Sequence, residues 1–298
     1  MENNVLSAQS EYDSFGPWAY EINDSYPLPR LFAPFFSADD KAILMIKIPR
    51  QIDRKDASPD MDLYDFVLAL YEDKLRILER KGNEVADHLI PAESFMGIRI
   101  YEKLLMAGCT VFSDNESVSF PFNSTSMALI RRFADLSIEK LQDKGPAGHT
   151  VYVSSLPVSG ETPDSILLTN LLHEEQVKTE GIAVGAKQAG IPINRRTDTR
   201  SDIERMLWKE LNPEALYLYT AKDLIILELG SFPNRGGTTE LGYTYTILPF
   251  NRITGMEITD SKTYKDLKKC VLSLGQNRIT YHFAQDNAQV AAFYNALK

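Results

Sequence analysis

"IPAESFMGIRI" (residues 90–100) and "LPFNRITGMEI" (residues 248–258) set the reading of the whole chain, because the same statement is made twice. Each places a proline six residues ahead of a glycine and closes on an alternating apolar run. A period of two with a proline at one end marks a strand entered from a turn. Upstream, "DFVLALYEDKLRILE" (65–79) matches "EALYLYTAKDLIILE" (214–228) without a gap. In both, two apolar runs meet at a polar turn, "YEDKL" or "TAKDL", which predicts a β-hairpin. Downstream, "GCTVFSDNESVSFPF" (108–122) matches "KCVLSLGQNRITYHF" (269–283), and Cys109 falls on Cys270. The turns "SDNE" and "LGQN" predict two further hairpins.

Each copy then ends in a helical pattern. In the first, Met127, Ile130, Ala134 and Leu141 form a stripe that Leu129, Phe133 and Leu136 widen. In the second, Asp286 is placed to cap a short helix, with Gln289 completing a capping box and Val290, Phe293 and Leu297 on one face. A first strand before each block is expected: "FFSADDKAILMIKIPRQ" (35–51) is the counterpart of "LLHEEQVKTEGIAVGAK" (171–187). The Thr-Pro start and apolar spacing of "TPDSILLTNLLHEEQ" favour a helix instead, in which case "GIAVGAK" alone is the strand. "SDIERMLWKEL" (201–211) opens on a capping box of Ser201 and Glu204 and predicts an inserted helix.

The expected organisation is therefore an aromatic arm over 1–30, one domain over 31–142, a Gly/Pro/Ser-rich linker over 143–162 and a second domain over 163–298. Within the linker, "HTVYVSS" is a candidate edge strand. The fold class is mostly β with α. The order of strands, the central Pro-then-Gly strand pair and the capped helix resemble the bacterial pleckstrin-homology-like family related to GRAM domains. The resemblance rests on "SADDKAIL", "YEDKLRILER", "IPAESFMGIRI" and "VSFPFNS". It implies two tandem barrels, each a bent antiparallel meander whose open mouth is plugged by the C-terminal amphipathic helix. It also implies a binding or assembly module with no chemistry of its own.

Composition narrows the functional classes. At 298 residues with a net charge of −9, the chain is not a general nucleic-acid binder, and its overall field does not favour an anionic membrane. The N-terminus lacks a signal-peptide pattern and no apolar stretch is long enough to span a bilayer, so a cytoplasmic protein is expected. Catalytic residues, a metal site and a cofactor are not expected. His88, His149, His173 and His282 are scattered, and "HEEQ" (173–176) has Val177 where a second zinc-binding histidine would stand. The paired cysteines read as a shared small core position.

Two groups of side chains remain as candidates. Arg50, Arg54 and Lys55 follow the first strand of one copy, and Arg195, Arg196 and Arg200 that of the other. Guanidinium forks suit phosphate, although interleaved acids such as Asp53, Asp56, Asp198 and Asp202 equally describe a solvated mixed-charge loop. Phe15, Trp18 and Tyr20 of the arm either dock on another chain or clasp their own. The expected function is protein interaction or self-assembly, with a protein partner or a second copy. The alternative is a peripheral binder of anionic lipid or phosphorylated ligand that uses the basic loops.

Overall fold

A computed structural model describes residues 7–37, 39–144, 151–197, 210–230, 234–235 and 242–297. It is mostly β, in several antiparallel sheets, and ends in a helix. The chain forms two compact units. One holds Met1–Phe95, Leu105–Val111 and Ser117–Gly145; the other holds Met96–Leu104, Phe112–Glu116 and Pro146–Lys298. The arm thus belongs to the first unit, and a strand of the first repeat belongs to the second.

In the first unit a short helix α1 (Ala8–Asp13) precedes β1 (Tyr20–Glu21), β2 (Leu44–Pro49), β3 (Tyr64–Leu70), β4 (Lys74–Lys81) and β5 (Glu84–Pro91). These strands form one antiparallel sheet in chain order. Pro91 ends β5 by removing a ladder donor, and a single 3-10 turn, Ala92–Ser94, redirects the chain into β6 (Phe95–Lys103). After it come β7 (Met106–Ser113), β8 (Ser117–Asn123) and α2 (Met127–Leu141). Helix α2 buries Ile130, Phe133, Ala134, Ile138 and Leu141, the apolar face that the sequence spacing defines.

The second unit adds α3 (Ile166–Lys178), β9 (Ala183–Gln188), β10 (Ile191–Ile193), β11 (Glu210–Asn212), β12 (Ala215–Tyr219), β13 (Asp223–Leu229) and β14 (Asn234–Arg235). Then follow β15 (Gly242–Pro249), β16 (Gly255–Asp260), β17 (Leu267–Leu274), β18 (Asn277–Ala284) and α4 (Ala288–Ala296). Its strands β6-β15-β13-β12-β9 lie side by side as part of a seven-stranded sheet in which β6 is an internal strand, and smaller sheets run β10-β11-β14 and β16-β17-β18. The repeat survives in detail: Ala69 faces Arg76 across β3 and β4, and Leu218 faces Ile225 at the matching places across β12 and β13. A 3-10 turn, Phe250–Arg252, follows Pro249 as its counterpart follows Pro91. Cys109 and Cys270 are both buried free thiols, and burial pushes the Cys109 thiol up.

Several expectations change. Among the described residues the sheets are open rather than closed barrels, because β16 pairs with β17 while the preceding strand β15 pairs with β13 and β6. The segment after Thr162 is the helix α3, capped by Ser165, and only Ala183–Gln188 is a strand. Asn287, not Asp286, caps the last helix, its side chain accepting from the Val290 amide at 3.0 Å. Residues 151–155 form no edge strand but lead into a 3-10 turn, Val153–Ser155. The helix expected over 201–211 lies outside the described residues except for Glu210 and Leu211, which are in β11.

Candidate functional site

The aromatic arm is folded onto its own unit. Tyr20 pairs with Lys47 and Glu21 with Ile46, so β1 covers the edge of β2. Phe15 is buried edge-on against Tyr64 with ring centroids 6.3 Å apart, and Tyr20 stacks on Tyr26 at 4.1 Å. Beneath them lies a charged pair. The buried Glu11 carboxylate accepts from the Arg30 amide at 3.0 Å, and burial raises its pKa against the pull of backbone donors. The Lys47 ammonium donates to the Pro27 carbonyl at 2.9 Å and sits 4.7 Å over the Tyr64 ring. Burial lowers its pKa to about 8, with Glu11 acting in the other direction. Of the three arm residues named from sequence, Phe15 and Tyr20 are thus engaged within the chain, while Trp18 stays 47% exposed.

The basic loops are engaged as well. Arg50 donates to the Asp62 carbonyl at 3.2 Å, Arg54 donates to the Phe15 carbonyl and lies over the Tyr12 ring, and exposed Lys55 is 3.2 Å from Asp53. Arg195 forks onto Glu210 at 2.8 and 3.0 Å, and Arg196 donates to the Ser261 carbonyl at 3.0 Å. Arg200 lies outside the described residues. The forks of Arg54 and Arg195 therefore hold the arm and β11 in place. The six cations belong to two separate units, three to each chain segment, and each segment's described members serve local contacts.

The second unit carries a polar cluster that pattern reading passed over. Arg99, on β6, faces Thr246 on β15 and donates to its hydroxyl at 3.1 Å through Nε. Its Nη2 donates to the Tyr281 hydroxyl at 2.9 Å, and the guanidinium lies 5.6 Å from that ring's centroid. Nη1 makes no hydrogen bond among the described residues. Glu228, on β13, pairs with Thr244 in the ladder. Burial raises its pKa to about 7, and Arg99 pulls in the opposite direction without cancelling the effect. The cluster thus offers an unused guanidinium donor and a carboxyl that changes charge near neutrality, both half-buried. Its sequence signal was slight: a charged residue inside each of the apolar runs "MGIRIY" and "LIILEL".

The histidines stand apart. Burial, aided by Lys269, lowers the His282 pKa to about 4; His88 lies 3.4 Å from Glu79; His173 is on α3; and His149 is outside the described residues. Among the described residues there is no cluster of three or more His, Cys, Asp or Glu side chains fit to hold a metal ion. No described helix is long and apolar enough to cross a membrane. Neither the models of protein families nor the curated proteins contain a match to the chain.

Proposed function

We propose that this protein is a non-catalytic interaction module of two pleckstrin-homology-like domains that binds a protein partner, or a second copy of itself, by adding a strand to a sheet edge. The observation that carries the reading is the unequal treatment of the two edges of the first sheet. The β2 edge is closed by the chain's own arm through β1. The other edge is β5, the terminal strand of its sheet, where Leu89 is 54% exposed. An open edge presents backbone donors and acceptors to an incoming strand, and an exposed leucine adds a side-chain contact. The arm is itself an instance of edge addition, performed within the chain. The dispersal of the histidines over separate elements favours binding over catalysis.

The test is solution mass by light scattering over a concentration series, for the full chain and for Leu89→Lys. Self-assembly through β5 gives a mass that rises with concentration in the native chain and stays monomeric in the variant. A native chain that remains monomeric, or a variant that associates equally well, removes self-assembly through this edge. Deleting residues 1–30 is expected to raise association, since it uncovers the β2 edge and the buried Lys47.

A further inference from the structure

In the sheet of the second unit, strand pairing puts two charged side chains on one face of the strands that flank β15. Tyr101, Thr244 and Glu228 stand side by side across β6, β15 and β13, and Arg99, Thr246 and Ile226 stand side by side in the neighbouring row. The Arg99 contact with Tyr281 turns this face toward β18, and Ile226 and Tyr281 belong to one buried apolar cluster. Leu248 and Leu224, in the row beyond, are fully buried, while Arg99 and Glu228 are half-buried and Tyr101 is 45% exposed. The two charges therefore sit where the core face meets solvent.

Neither charge is satisfied within the chain. Arg99 donates from Nε to Thr246 and from Nη2 to Tyr281, and it makes no ion pair among the described residues. Glu228 makes neither a hydrogen bond nor an ion pair among them, although it is half-buried. A guanidinium drawn out of water without an anion, on the same face as a carboxyl without a donor, is a costly arrangement for folding alone. One ligand relieves both. A carboxylate accepts from the unused Nη1 in a charge-assisted bond, and a donor on the same molecule meets Glu228. Charge favours a monoanion: a phosphate monoester carries about two negative charges near pH 7, more than one guanidinium offsets, and an ionised Glu228 repels it.

We infer that Arg99 and Glu228 form a binding site for a small monocarboxylic acid bearing a hydroxyl or an ammonium group, its carboxylate on Arg99 and its donor on Glu228. The site lies within the second unit and is independent of the sheet edge assigned to partner binding. The experiment titrates the isotope-labelled full chain with lactate, L-serine and glycerol phosphate in separate arms. NMR follows the Arg99 Nε–H resonance and the Thr244 and Thr246 amides. The expected result is a saturable shift with lactate or L-serine and a Kd on the order of 1 mM, the scale that so few atoms allow. Arg99→Met weakens that binding by about ten-fold or more. Glu228→Gln keeps the shape and separates the two donors near pH 8, where the native carboxyl is ionised: lactate tightens, and L-serine weakens by about ten-fold. Arg99 from β6, Tyr217 from β12 and Tyr281 from β18 lie around Glu228, and burial keeps both tyrosines uncharged there.

The inference is overturned if neither acid gives a saturable shift, or if Arg99→Met, its fold checked by thermal melting, binds equally well. Should Arg99→Met fail to fold, Glu228→Gln decides, and unchanged affinity for both acids overturns the site. Tighter binding of glycerol phosphate than of either acid overturns the ligand class.

Discussion

The strands that follow Pro91 and Pro249 begin alike, each after a single 3-10 turn and each with a glycine at the same spacing, but they are used differently. Strand β16 joins the next hairpin of its own repeat, Gly255 facing Ser273. Strand β6 has, in addition to its own hairpin partner, a second one in β15 of the other repeat, from Ile98 opposite Ile247 to Lys103 opposite Gly242, whereas β16 is the edge of its sheet. The glycines show what that difference demands. A Cβ on Gly97 would stand 2.6 Å from the Ile247 carbonyl oxygen, and one on Gly242 would collide with the Glu102 carbonyl. A Cβ on Gly255 meets Ser273 at an ordinary 3.7 Å. Two copies of one pattern thus serve different ends because a close backbone approach is built into one seam and absent from the other.

The sharpest way to break this comparison is to fill both glycines. Gly97→Ala puts a side chain against backbone and at φ 144°, and is expected to cost about 3 kcal/mol, read as a large drop in melting temperature. Gly255→Ala has room and is expected to change stability by less than about 1 kcal/mol. Equal effects would mean that the two strands are used alike.

A smaller effect is expected from the polar cluster at the same seam. Arg99→Met removes the donor to Thr246 and Tyr281 and leaves Glu228 without its compensating charge, at a cost of about 2 kcal/mol near pH 8. The cost should shrink near pH 5, where Glu228 is protonated. Glu228 also gives a pH signature of its own. Its folded pKa is raised to about 7 from 4.5, so the folded state holds a proton that the unfolded chain releases. This group's contribution is therefore most favourable below about pH 4.5 and declines as pH rises to about 7. Glu228→Gln should remove that decline and stabilise the protein above pH 7 by about 1–2 kcal/mol, discounted for partial exposure. Denaturant unfolding at pH 5 and pH 8 reads both variants.

The smallest effect belongs to the hairpin tips. Leu104→Asp gives the first repeat the residue type that the second uses at its left-handed position, and is expected to stabilise by a few tenths of a kcal/mol. Asp266→Leu should destabilise by about 1 kcal/mol. Thermal melts of the two variants give the comparison.

Much of this architecture was legible in the sequence because hairpin register is a local property. The turns "YEDKL" and "TAKDL" fix which residues of β3 and β4, or of β12 and β13, face each other, and the two registers agree. Buried Cys109 and Cys270 and the apolar face of α2 followed from period and alignment. The pairing of β6 with β15 did not, because alternation tells which face a residue takes but not which distant strand lies beside it. Arg99 and Glu228 were hidden for the same reason: they are 129 positions apart and meet only through β15. Phe15, Arg54 and Arg195 looked free in one dimension because their partners Tyr64, Tyr12 and Glu210 come from other elements.

The most direct measurement of the central claim is a set of cross-strand backbone NOEs in the deuterated full chain. The β6–β15 pairing requires contacts between Tyr101 and Thr244 and between Arg99 and Thr246, in antiparallel register, with slowed amide exchange along residues 98–103. NOEs from β15 to β13 alone, with none from β15 to residues 98–103, would contradict it.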